Sequence, residues 1–127
     1  MQGSRPSLAQ AADSGDDGVM PYTLIPDVPG RAEVPEAGTL SRVLHDDGRL
    51  RLVLFAFDAG EELTEHTATV PSVLQVVSGR FRGSAGGDNF EMGPEAWLLL
   101  DAREPHSLLA LEPARLLLTM LRRSEEG

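Results

Sequence analysis

Three side chains in this 127-residue chain have an ordinary pKa near neutrality, the imidazoles of His45, His66 and His106. No cysteine is present, which excludes disulfides, thiolate metal sites and cysteine nucleophiles. Lysine is absent as well, so Schiff-base chemistry and a phosphate-cradling glycine loop with its lysine are excluded. No serine stands in a Gly-x-Ser-x-Gly elbow, which argues against triad hydrolysis. What remains is imidazole chemistry: donating and accepting hydrogen bonds, moving a proton, or ligating a transition metal. His45 is followed by Asp46-Asp47-Gly48 and reads as part of a polar turn. A metal at His66 and His106 needs further donors, because zinc sites take three or four protein ligands. The nearby oxygen donors each have an obstacle. Glu65 falls on the face of a strand opposite to its neighbour His66. Gln75 disagrees in parity with position 66 unless a bulge lies near Pro71. Asp101 lies close before His106 in the chain.

The elements that must position these residues are strands. Leu40 to His45 and Arg49 to Phe57 flank an Asp-Gly step, a hairpin signal. His66 to Val70 is short and threonine-rich, and Ser72 to Val77 is apolar up to Ser78-Gly79. Arg80 to Ser84 meets Gly86-Gly87-Asp88, Phe90 to Met92 is brief, and Ala96 to Leu100 follows Gly93-Pro94 as a continuous apolar run. His106 to Leu111 and Arg115 to Leu121 form the last pair, around Glu112-Pro113. Many short strands between Gly, Pro and Asp turns, with no amphipathic helix, predict an all-β sandwich or barrel. Leu98-Leu99-Leu100 and Leu116-Leu117-Leu118 have helical propensity, but their short, turn-bounded runs favour buried strands.

Around the histidines the sequence resembles the cupins. Their first motif runs glycine, five residues, His-x-His, three or four residues, glutamate, then six residues to a glycine. Gly60-Glu-Glu-Leu-Thr-Glu-His66 fits its opening and Gly79 its close, with Ala68 in place of the second histidine and Ser72 in place of the glutamate. The second motif, a glycine, five residues, Pro-x-Gly, two residues and His, is resembled by the run from Gly93 to His106, which holds two more residues than the motif and is matched by counting back from His106. Asp101 and Arg103 replace its proline and glycine. The resemblance covers about residues 36–122, with motifs over 60–79 and 93–106. It implies a double-stranded β-helix, two facing antiparallel sheets with jelly-roll connectivity. It also implies a homodimer by analogy, and a barrel site in which His66 and His106 are the surviving metal ligands. The full set of three histidines and a carboxylate suits Fe, Mn, Ni, Cu or Zn.

Two functions follow from that resemblance. One is a small-molecule-binding barrel in which His66, His106 and Ser72 anchor a ligand among Phe57 and Trp97. The other is a metal-dependent dioxygenase or isomerase with a reduced ligand set, to which Gln75 or Asp101 would be the added donors. A blander reading makes Phe55, Phe57, Phe81 and Trp97 core filling, leaves Arg103 solvated in a loop, and assigns the barrel to assembly alone. A net charge of −9 argues against nucleic-acid partners, since Arg80 with Arg82 and Arg122 with Arg123 are small basic clusters. No apolar run approaches the length needed to cross a bilayer and the start lacks the apolar stretch of a secretion signal, so a cytoplasmic location is expected. Residues 1–20 are expected to form a flexible acidic tail, 21–122 the domain, and 123–127 a charged end. The prolines at 21, 26, 29 and 35 should hold residues 21–37 extended over the body.

Overall fold

The computed structural model describes residues 21–66 and 68–122, with the backbone alone for residues 64–66. The two expected tails, 1–20 and 123–127, lie outside the described residues.

Nine strands make two antiparallel sheets, in the order set by the turn signals. They are β1 (Thr39–Asp46), β2 (Leu50–Phe57), β3 (Glu62–His66), β4 (Ser72–Ser78), β5 (Phe81–Ala85), β6 (Asp88–Met92), β7 (Trp97–Leu100), β8 (His106–Ala110) and β9 (Ala114–Leu121). One sheet runs β1-β2-β9-β4-β7 and the other β3-β8-β5-β6. The chain changes sheet at almost every long connection, which is the jelly-roll wind of a double-stranded β-helix.

Alternation along each strand sends one set of side chains between the sheets. Phe57, Leu74, Val76, Phe81, Met92, Leu100, Leu108, Ala110, Ala114 and Leu116 form the central core. Phe57 and Phe81 are fully buried and meet edge to face, with ring centroids 5.2 Å apart and planes at 83°. That is the geometry the ring quadrupole favours. A second, smaller cluster lies on the outside of the five-stranded sheet. There Leu54 and Ala56 of β2 are covered by Ala32, with Val28, Val34 and Leu117 packed around them. The proline-bearing segment does run over the body, with one 3-10 turn at Pro29–Arg31 and an anchor where Arg115 Nε donates to the Ala32 carbonyl (2.8 Å). Both faces of β2 are therefore buried, which explains its near-continuous apolar sequence.

One strand falls elsewhere than expected. The threonine-rich run was assigned to His66–Val70, but β3 is Glu62–His66 and residues 68–71 are loop. Threonine has strand propensity, yet β8 offers its ladder to Glu62 and Leu63, opposite Leu109 and Leu108. The chain then leaves the sheet and crosses the end of the barrel.

The turns sort by end. Gly60 N–H donates to Ala110 O, Leu111 N–H to Arg80 O and Glu95 N–H to Val76 O, all at one end of the barrel. Gly79 is needed there: its φ is +82°, and a Cβ would come within 2.5 Å of Ala114 Cβ and Pro113 O. We call this the glycine end. At the other end, Arg103 N–H donates to Ala68 O (2.6 Å), Leu121 N–H to Pro71 O (3.0 Å) and Arg122 N–H to Arg49 O (2.9 Å). These bonds gather the loops 68–71 and 101–105, the β1–β2 hairpin and the end of β9. This is the histidine end.

Candidate functional site

His106 opens β8 at the histidine end and is 7% exposed. It shares its strand face with Leu108 and Ala110, both core residues, so it points between the sheets. Its Nδ1 lies 3.1 Å from the Glu104 carbonyl, which can only accept, so Nδ1 carries the proton. Across the ladder, the backbone pairs His106 with His66 on one side and with Ala85 on the other. Directly opposed positions of an antiparallel pair share a face. A bulge between Leu63 and His66 sets this register: β3 uses one more residue than β8 between Leu63↔Leu108 and His66↔His106.

Ser72 opens β4 in the facing sheet and is 6% exposed, on the same face as the core residues Leu74 and Val76. Leu100 is its partner on β7 and Met120 its partner on β9. Met120 in turn opposes Arg51 on β2. This row, Arg51–Met120–Ser72–Leu100, ends the inner face of the five-stranded sheet just as His66–His106–Ala85 ends the other.

Arg51 was not among the residues singled out from sequence. Its strand phase is that of Val53, Phe55 and Phe57, whose partners Leu118, Leu116 and Ala114 belong to or pack on the core. Its Nε is buried and has no hydrogen-bond partner. The phase was legible: counting back in twos from Phe57 reaches position 51.

The other expected site residues are placed differently. Phe57 lies at the glycine end, about 20 Å along β2 from Arg51 at 3.4 Å per residue, and is core filling. Trp97 is corrected from pocket lining to the outer surface. It is 59% exposed, and its partner Gln75, itself exposed, shares that outward face. An apolar run hid the alternation there, since Leu98 and Leu100 turn inward while Trp97 and Leu99 turn outward. Gln75 therefore faces away from the barrel interior, and no bulge at Pro71 brings it back. Asp101 is exposed in the 101–105 loop. Ala68 belongs to the loop between β3 and β4 rather than to a strand. Arg103 has φ +67°, the left-handed conformation for which the cupin motif carries glycine. His45 stands near the end of β1, paired with Leu52, and its Nε2 lies 2.7 Å from Asp47 Oδ2 in the turn that follows.

These donors do not fit a protein-held divalent ion. Among the described residues no three His, Cys, Asp or Glu side chains are grouped as ligands. Ser72 replaces a carboxylate with a neutral hydroxyl, and the same row carries the fixed positive charge of Arg51. No helix of the described residues is long and apolar enough to cross a membrane.

No family model and no curated protein matches the sequence. Solved structures do match the fold. A protein of unknown function from Streptococcus pyogenes aligns with TM-score 0.73 at 20% identity, over 81% of this chain and 90% of that one. A cupin superfamily protein from Desulfitobacterium hafniense aligns with TM-score 0.70 at 21% identity, over 74% of this chain and 86% of that one. KdgF from Halomonas sp. aligns with TM-score 0.65 at 22% identity, over 74% and 89%.

Proposed function

We propose that this small cupin-fold domain binds a small molecule at its histidine end without a resident metal. The observation that carries this reading is the pair of buried polar side chains, His106 and Ser72, that turn inward at this end, one from each sheet, beside a central core that is apolar. Binding sites of this kind join an apolar lining to a few convergent polar groups that fix orientation. Leu100, Met120 and Ala85 supply the lining, adjacent in register to Ser72 and His106. His106 has its ring fixed by donation from Nδ1 to the Glu104 carbonyl, and Ser72 offers a hydroxyl that can donate or accept. The backbone register sets position 66 opposite His106. Nothing in this set supplies the carboxylate that would balance a dication, so the reading is of recognition rather than metal catalysis.

The test begins with metal content. Protein purified without a histidine tag is expected to hold far less than one metal ion per chain. A thermal-shift screen of small metabolites is expected to give ligands whose stabilisation disappears in His106→Ala and in Ser72→Val. Stoichiometric iron, manganese, nickel, copper or zinc, lost in His66→Ala and His106→Ala, would overturn the metal-free reading. Ligands that stabilise all variants equally would place the pocket elsewhere.

A further inference from the structure

We infer that Arg51 makes the histidine-end pocket selective for a carboxylate, so that the ligand is a small monoanionic acid; this rests on the pocket proposed above. Two neighbouring arginines of the β1–β2 hairpin and the end of β9 are matched, whereas Arg103 in the 101–105 loop is exposed to solvent. Arg49 Nη2 pairs with Asp47 Oδ2 at 2.9 Å, and Arg122 Nη2 pairs with Asp46 Oδ1. Asp46 is also the residue opposite Arg51 on β1, so the nearest carboxylate in register is already engaged by another guanidinium. Arg51 makes no ion pair among the described residues, and its Nε–H is buried without an acceptor.

An unmet buried donor on a charged group is costly, because the group has lost water without gaining a partner. A guanidinium cannot relieve that cost by losing its proton, as a lysine or histidine would. The ligand is the missing acceptor. A planar carboxylate matches the Nε–Nη edge of arginine with two parallel hydrogen bonds. One guanidinium balances one negative charge, which favours a carboxylate over a phosphate dianion. Met120 and Ser72 continue the same row, so an acid held by Arg51 lays its remaining atoms toward Ser72 and the facing His106.

The experiment is an NMR titration of the full chain with propionate, propanol, propylammonium and inorganic phosphate, followed at Arg51 Nε–H, Ser72 and His106. Propionate is expected to bind about tenfold more tightly than propanol, the difference a charge-assisted pair supplies. Propylammonium and phosphate are expected to bind more weakly than propionate. Arg51→Met should erase the preference for propionate while propanol binding stays the same, and Arg51→Lys should keep part of it. Ligand-free Arg51→Met should be at least as stable as the parent, because it removes the unmet donor. A preference that survives Arg51→Met, equal binding of propionate and propanol, or tighter binding of phosphate overturns the carboxylate assignment and leaves the pocket standing. If no probe perturbs Arg51, Ser72 or His106, the pocket falls with it.

Discussion

The two ends of the barrel are built from the same strands to opposite specifications. At the glycine end the chain reverses in short turns, and Phe57, Phe81, Met92, Ala110 and Ala114 fill the space between the sheets with no polar side chain. Gly79 is there because the β9 backbone passes too close for a Cβ. At the histidine end the connection from β7 into β8 takes five residues, 101–105, and the inner face closes on Arg51, Ser72 and His106. One end is made for packing, and its sequence reads as apolar residues and turn glycines. The other keeps polar groups under partial burial, which stability alone does not ask for.

The largest expected effect comes from breaking the packed end. Phe81→Ala removes a fully buried ring stacked edge to face on Phe57 and should cost about 3–5 kcal/mol, measured by chemical denaturation. His106→Ala, at the other end, removes a hydrogen-bonded polar side chain rather than core packing and should cost less, about 1–2 kcal/mol. Equal losses would show that the histidine end is packing too. A smaller effect sharpens the same contrast. Arg103 holds a left-handed φ of +67° in the loop bonded to Ala68, so Arg103→Gly should raise stability by about 1 kcal/mol in the same assay.

The smallest effect concerns pH. Hydrogen bonds from Arg49 and then His45 hold the Asp47 carboxyl far below its ordinary value of 3.8. A depressed folded-state pKa means a stabilising contribution that is present above that value and fades as pH falls below it. Asp47→Asn should therefore lower the melting temperature slightly at neutral pH, where the parent's contribution is fully present, and the two profiles should converge as pH falls from about 4 to about 2.

Much of the architecture was legible because turns have specific chemistry. Asp46-Asp47-Gly48 and Gly86-Gly87-Asp88 each sit between strands that pair as hairpins, β1 with β2 and β5 with β6. The buried histidine at the start of β8 and the inward Ser72 also follow from motif spacing. Trp97 did not, because Trp-Leu-Leu-Leu gives no alternation to read, and only the pairing of Gln75 with Trp97 tells which face is outside. β3 was misplaced because propensity along the chain competes with ladder positions that belong to a distant partner. Arg51 was overlooked because charged residues in strands are ordinarily assigned to solvent. Its phase with Phe55 and Phe57 was the contrary signal.

The single extra residue in β3 has a reach beyond local geometry. Were β3 to pair without the bulge and with no residue lost, position 65 rather than 66 would stand opposite His106, and the ladder would offer a glutamate where it now offers a histidine. Deleting Thr64 would instead remove the bulge by shortening the strand, and His66 would stay opposite His106. The length of β3 and its irregularity are thus matched to each other, and only a change in one alone re-addresses the barrel's end.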